Sequence, residues 1–124
     1  MAISDRKVLY GINSEILTEE LFSAQEIAAG ANASSSAIDL NLAGGQFSIQ
    51  LELTGDGTAK VEWIGSNDNT TFVTPNGVSE IATGLTVGTY IYSFTILAVE
   101  SMKIKVTETG TSDAIGATVT LAVR

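Results

Sequence analysis

Residues 59–72, AKVEWIGSNDNTTF, form the stretch on which the fold prediction depends. Val61 and Trp63 alternate with charged residues, which predicts a strand with one buried face and one exposed face. The polar residues SNDNTT then predict a turn, and Phe72 starts the returning segment. Trp63 is the only tryptophan and lies on the apolar face. We therefore predict that Trp63 anchors the core, with Phe72 packing onto it from the returning segment.

Apolar and polar residues also alternate along the rest of the chain. The clearest example places Phe47, Ile49, Leu51 and Leu53 on one face. Further strands are predicted at residues 37–42, 79–82, 90–97, 101–109 and 117–123, with glycine-containing turns between most of them. Residues 90–97 are apolar on both faces, which predicts a central strand. The predicted fold is all-β: an antiparallel β-sandwich, jelly-roll-like, with about eight strands.

Residues 13–29 are compatible with two structures. Ser14 could cap a helix that places Leu17 and Leu21 one turn apart. Alternatively, residues 20–27, ELFSAQEI, form an extended segment that leads to the first core strand. We favour the extended structure, because the helical stripe is short and the predicted elements that follow are all strands.

Composition limits the partners that we expect. The 124 residues suffice for one domain. The net charge of −8, from 14 acidic and 6 basic residues, repels phosphate backbones, so we expect no nucleic-acid partner. No segment is long and apolar enough to span a bilayer, so we expect no membrane partner. The first residues, MAISDRKVLYG, lack the apolar run of a signal peptide, which predicts synthesis in a cytoplasm.

The residue types also limit the chemistry. With no histidine and no cysteine, the chain cannot build a Ser-His-Asp or Cys-His arrangement or the usual zinc site. Two carboxylates that flank one bond could still hydrolyse a glycoside, and the candidates are Glu52, Asp56, Glu62 and Asp68. These residues lie in predicted turns or on the solvent side of predicted strands. We therefore expect no catalytic residue and no enzymatic activity.

Two kinds of binding site were considered. Asp56, Asn67, Asp68 and Asn69 are oxygen donors in predicted loops, as calcium prefers. Their spacing matches no calcium loop, and such side chains in turns usually bond their own backbone, so we predict neither metal nor cofactor.

An aromatic platform for a sugar is the second kind of site. Trp63, Tyr90 and Tyr92 are the candidates. Aromatic residues at alternate strand positions are more often part of the core, which is the interpretation we favour. A glycan partner stays an alternative.

The turn at residues 66–72, SNDNTTF, resembles one found in small β-sandwich structural proteins of tailed bacteriophages and prophages. The likeness extends to residues 21–24 (LFSA), 34–40 (SSSAIDL) and 117–123 (ATVTLAV). There are two departures from that group. Asn69 stands where glycine is common, which asparagine tolerates because it accepts left-handed backbone angles. Phe72 stands where tryptophan is common.

This resemblance implies a role in a virus particle. It implies an N-terminal arm over residues 1–20 and a β-sandwich domain over residues 21–124. The implied function is that of a non-enzymatic virion protein that decorates and stabilises the phage head, binding the major capsid protein or other virion proteins as a homo-oligomer, with a trimer favoured. Alternatives are a neck or tail component and a carbohydrate-binding or host-adhesion module. The candidate assembly arm comprises Arg6, Lys7, Leu9 and Tyr10, and the candidate contact loop comprises Asn67, Asp68 and Asn69.

Overall fold

A computed structural model describes residues 16–40, 45–77, 79–96 and 98–124. Over these ranges the chain forms nine strands and no helix. The strands are β1 (Leu17–Ile27), β2 (Asn32–Ser34), β3 (Ile38–Asp39), β4 (Phe47–Gly55), β5 (Ala59–Ser66), β6 (Glu80–Leu85), β7 (Gly88–Phe94), β8 (Ser101–Glu108) and β9 (Ile115–Val123). Within the described ranges, therefore, no helix is long and apolar enough to cross a membrane.

The strands form two antiparallel sheets. The first has the order β1-β9-β4-β7, and the second has the order β2-β8-β5-β6, with β3 also paired to β8. Strands β2 and β3 are two parts of one strand that Ser35 interrupts. The Ser35 amide donates to the Ile104 carbonyl, and the Ser35 hydroxyl accepts the Ile104 amide. Counted this way, eight strands form two four-stranded sheets in jelly-roll order, which confirms the predicted sandwich.

The core lies between the two sheets. It is filled by the apolar side chains that point inward at every second position of the strands. The residues of β4, β5, β8 and β9 that point inward are almost fully buried: Phe47, Ile49, Leu51, Leu53, Val61, Trp63, Met102, Ile104, Val106, Ala117, Val119 and Leu121. Trp63 is 1% exposed, so its predicted place in the core is confirmed.

The predicted packing of Phe72 onto Trp63 is wrong. Phe72 does not belong to the core, and its half-buried ring lies 4.4 Å from the Lys103 ammonium. Lys103 points outward from β8, because its neighbours Met102 and Ile104 point inward and are buried. The chain that follows β5 therefore returns over the outer side of the second sheet, where Phe72 makes a cation–π contact.

Strand β7 (Gly88–Phe94), which includes residues 90–94 of the segment predicted at 90–97, is an edge strand, which corrects the prediction of a central one. In the described part of the chain, β7 pairs only with β4. Tyr90, Tyr92 and Phe94 pack against the core, whereas Ile91 on the outer face is 70% exposed. Two apolar faces suggested burial on both sides, but the outer face of this sheet has no covering layer among the described residues.

The start of the chain is extended where the structure describes it. Residues 17–27 form β1, which confirms the extended alternative for that part of residues 13–29, and residues 13–15 lie outside the described residues. Residues 1–15 of the predicted arm, and with them Arg6, Lys7, Leu9 and Tyr10, also lie outside them. Residues 17–20, which we assigned to the arm, pair with β9.

The two ends of the sandwich differ in loop length. At one end, which we call the short-loop end, the strands are joined by residues 28–31, 56–58, 86–87 and 109–114. At the other end, the long-loop end, residues 40–46, 67–79 and 95–100 join them, and β1 starts and β9 ends there. The predicted contact loop thus lies at the long-loop end.

Candidate functional site

The turn after β5 is organised by the Asp68 carboxylate. Its Oδ1 accepts the amides of Thr70 (2.9 Å) and Thr71 (2.8 Å) and the hydroxyl of Ser66 (2.8 Å). The Thr71 and Thr70 amides in particular lower the pKa of Asp68 from 3.8 to about 2. The carboxylate is therefore ionised at neutral pH and already occupied with donors of its own loop.

Asn69 connects this turn to the second sheet. Its backbone has a φ of 60°, a left-handed conformation that asparagine tolerates. The Asn69 Oδ1 accepts the hydroxyl of Ser101, at the first residue of β8, over 2.7 Å. Asparagine thus adopts the backbone angle of a glycine and adds a bond that glycine could not make.

An open cleft of about 430 Å³ lies beside the turn. Its lining residues are Gly65, Ser66, Asn67, Asp68, Thr71, Val73, Pro75 and Val99. Paired backbone bonds between Gly65 and Val73, of 3.0 and 2.9 Å, close the base of the loop. We call its apolar lining residues Val73, Pro75 and Val99 the apolar wall. Val73 is 58% exposed, and Asn67 is among the polar lining residues. Such a surface suits contact with another protein chain better than bond-breaking chemistry.

A second open cleft, of about 190 Å³, lies at the same end. It is lined by Ile16, Gln46, Phe47, Ser48, Ala122, Val123 and Arg124. The backbones of Gln46 and Arg124 bond to each other over 3.2 and 3.0 Å and hold its floor. Because Ile16 lines this cleft, the first described residue of the chain lies at the long-loop end.

The four carboxylates that we considered for hydrolysis lie far apart. Glu62 is on the outer face of the second sheet, between the ammonium groups of Lys60 (3.7 Å) and Lys105 (3.8 Å). Glu52 is exposed on β4 in the first sheet, and its buried neighbours place it on the opposite outer face of the sandwich. Asp56 belongs to the short-loop end, whereas Asp68 belongs to the long-loop end. The structure therefore brings none of these carboxylates together at one cleft.

The calcium candidates are divided in the same way. Asp56 lies at the opposite end of the sandwich from Asn67, Asp68 and Asn69. Among the described residues no three acidic side chains come close enough to hold a metal ion. The prediction that these loops carry no metal stays a prediction.

Of the three aromatic residues that were candidates for a sugar-binding platform, Trp63 is excluded. Trp63 is buried between the sheets and cannot contact a ligand. Tyr90 and Tyr92 are half-buried and stacked, with ring centroids 6.0 Å apart. The Tyr90 hydroxyl donates to the Thr86 carbonyl over 2.8 Å. This tyrosine pair is therefore only partly accessible to a partner.

One described side chain accepts more hydrogen bonds from the backbone than the Asp68 carboxylate does, and we did not predict it from the sequence. Glu108, at the end of β8, is 1% exposed and accepts four backbone amides. Oε1 accepts those of Gly30 and Thr111, both at 2.8 Å. Oε2 accepts those of Thr58 (2.9 Å) and Gly110 (2.8 Å). We call this arrangement the Glu108 clamp, because it ties together three connections of the short-loop end.

The backbone leaves little room around the clamp. A Cβ atom added to Gly57 would lie 2.6 Å from the Asp113 carbonyl oxygen and 2.9 Å from Glu108 Oε2. Glycine is therefore required at position 57. The amides of Thr58 and Gly30 lower the pKa of Glu108 most, from 4.5 to about 2.

These two carboxylates predict how stability depends on pH. The folded-state pKa values of Asp68 and Glu108, about 2, lie below their usual values of 3.8 and 4.5. The unfolded chain therefore binds more protons between these values, and the stabilisation is lost as the pH falls. We expect the urea midpoint to be constant from pH 7 to about pH 5 and to fall steadily toward pH 2. A midpoint that stays constant down to pH 3 would contradict this assignment.

Comparison with known proteins is informative about the fold only. No protein-family model and no curated protein matches the chain. Among solved structures, the chain is similar to VP2 of infectious bursal disease virus in a subviral particle, with a TM-score of 0.55 and 15% identity over 88% of this chain and 32% of VP2. It is also similar to the CBM22-1 and GH10 modules of Clostridium thermocellum xylanase 10B, complexed with xylohexaose. That TM-score is 0.52, with 17% identity over 88% of this chain and 25% of the other.

A third similar structure is the SPBc2 prophage-derived protein YomS. The TM-score is 0.48 and the identity 14%, over 94% of this chain and 98% of YomS. This likeness is too weak to argue from. The chain spans about a third of VP2 and a quarter of the xylanase chain. At these identities the two stronger matches establish that the jelly-roll fold is shared with a viral capsid protein and with a xylanase that carries CBM22-1 and GH10 modules.

Proposed function

We propose that the chain is a non-enzymatic structural protein of a virus particle, and more specifically a decoration protein of a tailed-phage head. The observation that carries this proposal is the contrast between the two ends of the sandwich. The Glu108 clamp ties the short loops into one unit, whereas the long-loop end presents two open clefts and an exposed turn. The resemblance of residues 66–72 to phage proteins and the jelly roll shared with VP2 support the proposal.

The long-loop end has the composition of a binding surface. Val73 and Ile16 are exposed apolar residues, and the polar residues Asn67 and Asp68 line the larger cleft, with the exposed Asn69 next to them in the chain. Apolar contact surrounded by polar groups is usual at protein interfaces. The charge of −8 favours docking onto a basic surface. The predicted arm would leave from this end, because the chain enters β1 there.

Stabilisation of a capsid would follow from mass action. A protein that binds the assembled shell and not the free subunits shifts the equilibrium toward the shell. Contacts across the boundary between neighbouring capsid subunits would achieve this. The partners in this proposal are the major capsid protein or another virion protein, and the bound form would be a homo-oligomer on the outside of the particle.

The test is co-sedimentation with heads assembled from the major capsid protein of the same genome. We expect the purified protein to bind intact heads and to raise the temperature at which they open. Val73→Asp places a charge on the apolar wall of the cleft, and we expect at least a ~10-fold weaker binding. Ala29→Asp adds the same charge at the exposed short-loop end and serves as the matched control. Failure of the wild-type protein to bind heads, necks or tails would remove the proposal.

A carbohydrate-binding role is the second candidate. The stacked, half-buried Tyr90 and Tyr92 favour it, since aromatic faces bind sugar rings. A panel of glycans that includes xylo-oligosaccharides is the direct test, with Tyr92→Ala as the variant. Binding that survives Tyr92→Ala, or a panel without any bound glycan, would exclude this site.

A further inference from the structure

One side of the sandwich carries very little charge. No charged residue occurs between Glu80 and Glu100. This run contains all of β7 and all of β6 except its first residue, Glu80. Each of the two is an edge strand of its sheet, and a two-residue connection joins them. The uncharged run therefore supplies most of the two neighbouring edge strands in a protein with a net charge of −8.

Strand β7 is an unprotected edge. Its register with β4 runs without a shift from Phe47 to Leu53, so it is regular over its whole length. It contains no proline, no lysine and no bulge, which are the features by which proteins usually protect an edge. Within the described ranges its second side has no strand partner. The backbone groups of β7 that point away from β4 therefore have no strand partner among the described residues and could pair with another chain.

The other edges are protected. Strand β1 has two register shifts and carries Glu19, Glu20 and Glu26. Strand β6 also has two register shifts against β5. Strands β2 and β3 are short and interrupted. Among the described edge strands, only β7 combines a long, regular register with the absence of charge.

We propose that β7 pairs antiparallel with β7 of a second copy of this chain, so that two four-stranded sheets join into one of eight strands. The charge distribution favours a second copy of this chain as the partner of β7. Two molecules of charge −8 repel each other, and this repulsion is smallest where the contacting surface is uncharged. A two-fold axis brings the same strand of both copies together, and no residue of β7 carries a charge that would face a like charge of the other copy.

The side chains of β7 fit the same pairing. Ile91 is 70% exposed at the middle of the strand, on the outer face of the sheet. Across a two-fold axis near the strand centre, the two Ile91 side chains would cover each other. This inference rests on the fold and the charge distribution and does not depend on the proposed function. It predicts assemblies with an even number of chains, unlike the trimer that the resemblance implied.

The test combines mass, hydrogen exchange and a lysine in the edge strand. Sedimentation equilibrium of the wild-type protein is expected to give twice the mass of one chain. Ile91→Lys would place two charges against each other at the axis and is expected to give the mass of one chain. Leu17→Lys is the matched control, because Leu17 is also an exposed apolar residue of an edge strand, and it should leave the double mass unchanged.

Hydrogen exchange locates the contact. The amides of β7 are expected to exchange at least about 10-fold more slowly in the wild-type protein than in Ile91→Lys. If Ile91→Lys does not fold, Ser93→Lys repeats the test, since Ser93 is exposed on the same face of β7. A wild-type protein that is monomeric at ~100 µM or trimeric, or a lysine variant that keeps the double mass, would overturn the inference.

Discussion

Replacement of Trp63 by alanine is expected to lower the free energy of unfolding by about 3–5 kcal/mol. Trp63 is 1% exposed and lies in β5, which pairs with β8 on one side and β6 on the other. A Cβ atom added to Gly65 would lie 3.0 Å from the Trp63 ring, so neighbouring backbone already packs closely against it. Collapse of the surroundings into the space left by the indole is therefore limited. Since a domain of this size has about 5–15 kcal/mol of stability, the substitution should remove a large fraction of it.

Urea unfolding followed by far-UV circular dichroism measures this loss, because the variant has no tryptophan to report by fluorescence. Phe72→Ala is the informative control. Phe72 lies outside the core and contacts Lys103, so its removal should cost about 1 kcal/mol or less. A cost for Phe72→Ala as large as that of Trp63→Ala would mean that Phe72 packs in the core after all.

The core strands could be predicted because burial of one face imposes a period of two. Phe47, Ile49, Leu51 and Leu53 show the period without interruption, and all four are buried. The position of a strand within its sheet does not follow from its own residues. Strand β7 has an apolar residue, Ile91, on its outer face, a pattern that is typical of a central strand. The edge position of β7 depends instead on which strands pair with β4.

For the turn after β5, only the features that depend on neighbouring residues could be predicted. Asp68 and Asn69 bond within a few residues or adopt a backbone angle that their type tolerates, and both features follow from short-range chemistry. The apolar wall of the cleft includes Val99, which comes from the connection between β7 and β8. No local pattern indicates that this residue reaches the turn.

The Glu108 clamp also depends on long-range contacts that a local sequence pattern does not predict. Glu108 continues the inward series of Ile104 and Val106, so a carboxylate at an inward position was visible in the sequence. Its donors Gly30 and Thr58 are 78 and 50 positions away along the chain. A buried acid indicates that donors must exist, but only the fold shows which loops supply them.

Replacement of Glu108 by glutamine is expected to lower the melting temperature by more than about 10 °C. The carboxylate accepts two amides at each oxygen, whereas glutamine keeps one accepting oxygen and presents an NH₂ group to the other two donors. Two backbone amides would then lose their acceptor inside a buried site. The loops at residues 28–31, 56–58 and 109–114 would lose their common attachment, and their amides should exchange faster.

Glu52→Gln is the control for the loss of one negative charge. Glu52 is exposed on the outer face of β4, so the same change there should keep the melting temperature within about 2 °C of the wild-type value. The pH profile gives a second, independent readout. If the clamp stabilises the fold through its ionised form, the wild-type protein should lose stability between pH 4.5 and about pH 2, and Glu108→Gln should lose distinctly less over that range. Equal melting temperatures for the two variants, or equal pH profiles for Glu108→Gln and the wild-type protein, would mean that the short loops hold together without the clamp. The contrast between the two ends of the sandwich, on which the proposed function depends, would then be lost as well.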